Sequence, residues 1–218
     1  MGMVIVVISD KGGVGKTTTV ANTAVMVQHR GQKVGLLKSD KNPDLMNWRK
    51  KRLENGLTDI PVFEAYGNHV AKEIDRIKKF FDVVFVDCAG HDCAEFRSAA
   101  SVADILLTCV KPSSAFERET LTGLSETINK VRSHNPTLQA WVVQTRVKQN
   151  KIPDAIELDK ELRSDPAFVQ PLKSRISEFD VFESACNVGA GIHDVARASS
   201  LSKAKAQIEL MAKEIGLI

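Results

Sequence analysis

The residues best equipped for chemistry stand near the start of the chain, where Ser9 to Thr19 read "SDKGGVGKTTT". Gly12, Gly13 and Gly15 leave the backbone unshielded, so successive N–H groups can turn inward towards phosphate oxygens. Lys16 supplies positive charge for β- and γ-phosphates, and Thr17 a hydroxyl of the kind that ligates Mg²⁺. With Val14 and Thr18 they make up a loop whose last part, Gly15-Lys16-Thr17, matches the end of the phosphate-cradling pattern G-x-x-x-x-G-K-[ST]. The first glycine of that pattern falls on Asp10, so the loop is a departure from it. Lys11 is the added element. A second lysine at the head of the loop would crowd its own site electrostatically unless it reached elsewhere.

A second candidate is "VFVDCAG", Val84 to Gly90. A carboxylate at the end of a buried strand sits at the ligand-binding edge of an α/β sheet. Asp87 is therefore placed to hold Mg²⁺, and Gly90 to bring its N–H near a γ-phosphate.

The elements that must position these residues follow from the apolar pattern. Val4 to Ile8 is a β-branched run, the mark of a strand buried on both faces. Thr17 to Arg30 reads as a helix closed by Gly31, and Lys33 to Leu37 as the next strand, which completes a βαβ unit. Further helices are expected over Asp44 to Asn55, Asn68 to Phe80, Asp92 to Val102, Phe116 to Val131, Ile156 to Leu162 and Leu201 to Ile215. Strands are expected over Val83 to Val86, Ile105 to Val110, Gln139 to Thr145 and Pro171 to Arg175. This alternation predicts an α/β fold, a doubly wound, mostly parallel sheet with helices on both faces, in one domain over residues 1–218.

Composition narrows the field without deciding it. The 218 residues are 43% hydrophobic, enough for one substantial core, and the formal charge of +3 does not announce a nucleic-acid binder. Cys88, Cys93, Cys109 and Cys186 include no CxxC pair. The N-terminal apolar run is too short for a secretory signal, and no run approaches the roughly 20 residues that span a bilayer. The expectation is a cytoplasmic protein with reduced, mostly buried thiols.

The loop Lys11-Gly12-Gly13-Val14-Gly15-Lys16-Thr17-Thr18 resembles the deviant Walker A motif of the ParA/MinD family of P-loop ATPases. The resemblance implies ATP and Mg²⁺ as cofactors, with Asp87 as the Walker B aspartate. It also implies an ATP-dependent homodimer in which Lys11 reaches across a nucleotide sandwich to the partner's phosphates, as an arginine finger acts in trans. Local matches place the chain near the small, ParF-like ParA proteins of plasmid partition. "LLKSDKNPDLMNW" lies where that family has D-x-D-P-Q followed by Asn-Trp, and "VDCAG" and "VKPSS" stand for two further segments. Thr145-Arg146 ends a strand where the family meets the adenine side, and "VFES" recurs near the C-terminus.

The departures matter as much. The first Asp of D-x-D is Lys38 here, and Asp40 remains, placed by the resemblance to orient the attacking water or meet the Mg²⁺ shell. Lys38 then pairs with Asp40, meets a phosphate, or points to solvent. Phe116 stands where the family usually carries an Asp.

The resemblance further implies nonspecific DNA binding by the ATP dimer, release on weak hydrolysis stimulated by a centromere- or cargo-binding partner protein, and a nucleoid-associated location. Contacts of that kind come from Lys and Arg aimed at phosphates. Arg49-Lys50-Lys51-Arg52 is the densest run, and Lys148, Lys151, Lys173, Arg175, Arg197, Lys203 and Lys205 are scattered further on. Two other readings share the loop. A MinD-like membrane positioner would need a terminal amphipathic helix. Ile208, Met211 and Ile215 do form a stripe, but Glu209, Glu214 and the scarcity of basic residues favour packing on the protein's own sheet. A metabolic or metal-handling relative would need converging thiolates. Cys88 and Cys93 flank the Asp87 turn, and are expected to be buried and structural. His91 is expected to be a switch or surface residue, and Glu95 and Arg97 to serve dimer contacts.

Overall fold

The computed structural model describes residues 2–89, 93–112 and 115–218, with backbone alone for 115–119. Among these, seven strands form one sheet: β1 (Met3–Ile8), β2 (Val34–Lys38), β3 (Val62–Glu64), β4 (Val83–Asp87), β5 (Ile105–Val110), β6 (Gln139–Val147) and β7 (Pro171–Ser177). Their order is β3-β2-β4-β1-β5-β6-β7, and every pair runs parallel. Because β1 lies between β4 and β5, the chain winds outward from it in both directions. Its C-terminal edge is therefore the switch point at which α/β sheets bind ligands.

The central strands are buried on both faces, which is why their sequences read as unbroken Val, Ile and Leu. Alternate side chains feed two separate cores. One face packs against α1 (Lys16–His29), α2 (Asp44–Glu54), α7 (Asp180–Asn187) and α8 (Leu201–Glu214). The other packs against α3 (Val70–Ile77), α4 (Ala94–Ala100), α5 (Ala115–Arg132) and α6 (Ile152–Ser164). The doubly wound parallel fold is thus as expected.

Three details differ from the sequence reading. The predicted helix over Asn68 to Phe80 is a 3₁₀ turn, Gly67–His69, followed by α3. Helix α6 starts four residues earlier than predicted, because Pro153 sits in its first turn, where a missing N–H does no harm. Strand β3 and helix α7 are additions to the predicted set.

The stripe on α8 is used internally. Ile208 and Met211 are fully buried, with Ile215 and Leu217 beside them, against β7 and α1. The same helix also covers the backbone of β7. The Glu214 carboxylate accepts from Lys173 N–H (2.6 Å) and Ser174 N–H (3.0 Å), and Gln207 Oε1 accepts from Ser177 N–H (2.9 Å). No helix among the described residues is long and apolar enough to cross a membrane.

Candidate nucleotide-binding site

The glycine loop leaves β1 at Ile8 and enters α1 at Lys16. Gly13 (φ +76°) and Gly15 (φ +96°) occupy left-handed backbone that a side chain would strain, and they turn the chain back into the helix. The loop is held from behind. Thr145 is buried, and its hydroxyl donates to the carbonyls of Val14 (2.7 Å) and Val110 (3.3 Å). Arg146 donates from Nη1 to the Gly13 carbonyl (2.7 Å) and pairs with Glu178 (2.8 Å). Arg146 also adopts φ +51°, a non-glycine residue in left-handed backbone. Both ends of "TR" therefore fix the loop's shape, while the residues themselves line the cleft.

That cleft encloses about 610 Å³ at the sheet's C-terminal edge. The loop residues Lys11, Gly12, Gly13, Gly15, Lys16, Thr17 and Thr18 line one side, and Asp40, Asn42 and Ala89 flank it. Ser177 to Asp180 and Phe182 form the far wall. Ala89 is the last described residue before a gap in which Gly90, His91 and Asp92 fall, so the expectations placed on Gly90 and His91 lie outside the described residues. The Ser113-Ser114 part of "VKPSS" and the Phe116 side chain lie outside them too.

At the floor of the cleft the charges converge on Asp87, which is buried beneath it. Lys16 Nζ pairs with Asp87 Oδ1 and lies 3.4 Å from Asp40 Oδ2. The Thr17 hydroxyl donates to Asp87 Oδ2 at 2.7 Å. Burial alone would push the Lys16 ammonium down, but Asp87 and Asp40 outweigh it and hold its pKa above the ordinary value. Burial likewise opposes the charge on Asp40; the Asn42 N–H at 3.1 Å, Lys16 and Lys38 overcome it and keep the carboxyl below its usual range. A hydroxyl and a carboxylate meeting at 2.7 Å are the hard oxygen donors that suit Mg²⁺, and the bare loop amides with Lys16 suit phosphates. The residues fit a magnesium nucleotide.

The four sequence candidates Lys16, Thr17, Asp40 and Asp87 are thus brought together. Lys11 is exposed at the mouth, with no ion-pair partner shown among the described residues. Lys38 takes none of its expected directions. Its side chain is buried and turns along the sheet edge to Glu64 (3.0 Å) and the Tyr66 hydroxyl (2.7 Å). Sequence reasoning missed Glu178, an acidic residue just past the end of β7 that pairs with Arg146.

The basic run at 49–52 is not a free patch. Arg49 forms a bidentate pair with Asp59 (2.9 and 2.8 Å). Arg52 is 1% exposed and binds Asp194 (2.7 Å), the carbonyls of Thr58 and Gly189, and Gln28. Lys50 sits across from Glu54 at 3.9 Å, and Lys51 is exposed. In the scattered set, Lys148 approaches Glu178 (3.5 Å), Lys151 approaches Asp154 (3.4 Å) and Lys205 donates to the Val195 carbonyl (3.2 Å). Lys173, Arg197 and Lys203 are exposed, and Arg175 is half-buried. Glu95 accepts from the Gly67 N–H (2.8 Å) within the chain. Cys88 and Cys109 are buried, and burial pushes both thiols up to about 12. Cys93 caps α4 by accepting from the Phe96 N–H. Among the described residues no three His, Cys, Asp or Glu side chains cluster as a metal site.

An all-parallel doubly wound sheet with a glycine loop between its first strand and first helix defines a nucleotide-binding α/β protein. Residues 5–178 match the CobQ/CobB/MinD/ParA nucleotide binding domain, and the chain belongs to that family. The septum site-determining protein MinD of Synechocystis is 28% identical over 160 residues, which cover 58% of this chain and 60% of that protein. Protein ParA of Rhizobium radiobacter is 30% identical over 112 residues, 51% of this chain and 50% of that one. The matched parts thus span half to three fifths of these relatives. Among solved structures, McdA of Cyanothece superposes with a TM-score of 0.75 at 14% identity, over 99% of this chain and 100% of that one, and McdA has also been solved as an ATP complex.

Proposed function

We propose that this chain is a ParA-type ATPase that closes an ATP-dependent sandwich dimer, binds DNA without sequence preference and partitions a plasmid or similar cargo. The observation that carries the reading is the contrast between its two loop lysines. Lys16 is engaged by Asp40 on the cleft wall and by Asp87 buried beneath it, whereas Lys11 stands exposed at the rim, free to serve a second copy. Lys16 and the loop amides hold the β- and γ-phosphates, and Thr17 and Asp87 hold Mg²⁺, with Gly90 contributing its N–H. When bound, Mg²⁺ neutralises charge on the phosphate oxygens. Asp40, kept ionised, orients the attacking water, and Thr145 and Arg146 hold the loop against its load. Hydrolysis needs the dimer, because an isolated site lacks the second copy's lysine, and it stays weak until a centromere- or cargo-binding partner protein stimulates it.

DNA contacts fall to the exposed Lys173, Arg197 and Lys203 rather than to the 49–52 run, whose arginines are committed to carboxylates. A MinD-like membrane role is disfavoured by the apolar stripe of α8, which is already buried against the sheet. The test is fluorescence anisotropy of a random-sequence duplex titrated with protein, with ADP and with a non-hydrolysable ATP analogue, at two salt concentrations. Salt-sensitive binding with the analogue alone is expected. Equal binding, or none, with both nucleotides would overturn the proposal.

A further inference from the structure

Position 38 carries a charge that the phosphate site does not use. Lys38 ends β2 and stands in register with Asp87 of β4 on one side and Glu64 of β3 on the other. Register partners on neighbouring parallel strands share a face and lie about 4.8 Å apart. The residues two places earlier, Leu36, Phe85 and Val62, all belong to the same core layer, as this alternation requires. Lys38 therefore rises directly beside the carboxylate assigned to Mg²⁺, on a flexible four-carbon stem able to reach either neighbour.

The ammonium goes to only one of them. Nζ lies 3.0 Å from Glu64 Oε1 and 2.7 Å from the Tyr66 hydroxyl, and that hydroxyl donates to the same Glu64 oxygen at 2.9 Å. The three groups close a triangle, with Nζ 5.3 Å from the centre of the Tyr66 ring. Burial opposes the charge, but the Tyr66 and Glu64 contacks outweigh it, so Lys38 stays protonated. Asp87 is left to Lys16 and Thr17. A cation loose beside a metal-binding carboxylate competes with the metal for it, and groups that orient such neighbours tune metal affinity.

We propose that Glu64 and Tyr66 form a clamp that holds the Lys38 ammonium off Asp87, so that Lys16, which bound phosphates can draw away, is the one ammonium Mg²⁺ has to displace there. The proposal rests on the reading of Asp87 as the metal ligand. It makes Glu64 and Tyr66 positioning residues, some distance from the phosphates, that a lysine at position 38 makes necessary.

The test is a Mg²⁺ titration of the binding of a fluorescent ATP analogue to three versions of this chain: wild type, Glu64→Gln/Tyr66→Phe, and the same pair with Lys38→Met. Glu64 and Tyr66 are both substantially exposed (side chain 45% and residue 40%), so the fold tolerates the pair. The pair is expected to raise the half-saturating Mg²⁺ concentration about tenfold, and Lys38→Met is expected to restore it. An unchanged midpoint in the pair overturns the clamp. A raised midpoint that Lys38→Met does not restore also overturns it, because the effect then runs through β3 and not through the ammonium. If the wild type itself shows no Mg²⁺-dependent binding, the reading of Asp87 fails first and the clamp falls with it.

Discussion

Two stretches of this chain carry closely spaced cations, Lys11 to Lys16 and Arg49 to Arg52, and they differ completely in the fold. In the loop from Lys11 to Lys16 the charges face a cleft lined with bare backbone. In the helix from Arg49 to Arg52 the two arginines are bound to Asp59 and Asp194 and build the protein instead. The difference is one of neighbours. Lys16 meets Asp87 and Asp40 from neighbouring strand ends and Lys11 stays exposed at the rim, whereas α2 meets Asp59 of the segment that follows it and Asp194 of the segment between α7 and α8. Charge density in a sequence says where cations are, and only the fold says whether they are free.

The largest effect should come from the loop. Lys16→Ala is expected to abolish nucleotide binding in calorimetry, while Lys11→Ala is expected to keep most of it. Lys11→Ala should lose ATP-dependent dimerisation by light scattering and about a thousandfold of turnover. Normal turnover in the Lys11 variant would show that the rim lysine does not act on a partner.

The helix should respond in stability. Arg52→Ala takes from Asp194, whose carboxylate is 8% exposed, its buried cation and leaves it only His29 and the Gly191 N–H, and is expected to lower unfolding free energy by about 3 kcal/mol in urea titrations. Lys51→Ala on the same helix should change it by less than about 0.5 kcal/mol. Equal losses in the two variants would erase the distinction between built-in and free charges.

The smallest effect concerns His193, next to Asp194. Burial holds its pKa below the ordinary 6.5, against the pull of Glu209 at 3.1 Å, with Lys205 and His29 adding to the depression. The unfolded chain then binds the proton more readily, so stability should fall as pH drops below about 6.5. His193→Gln should flatten that part of a Tm-against-pH curve. An identical slope in the variant would assign it elsewhere.

Much of this was legible beforehand because the relevant signals are local. The β-branched runs of β1, β4 and β5 mark strands buried on both faces, and the glycines mark the turn between β1 and α1. Strand β3 was not legible: its three residues follow Pro61 and are too few to show a period. Helix α7 is only eight residues long and owes its place to Val181, Phe182 and Ala185 packing on the core shared with α1 and α2. The direction of Lys38 depends on Glu64 and Tyr66, some 26 residues away along the chain, and no local pattern encodes it. The role of Arg52 depends in the same way on Asp194.

The attention α8 gives to β7 has a consequence for how copies of this chain can meet. A sheet border with free amides invites a foreign strand, and runaway addition of that kind ends in aggregates. Here Glu214 and Gln207 already occupy the amides of Lys173, Ser174 and Ser177, while the opposite border is only the three residues of β3. Self-association by growing the sheet is discouraged at both ends, so copies of this chain that meet have to do so through other surfaces.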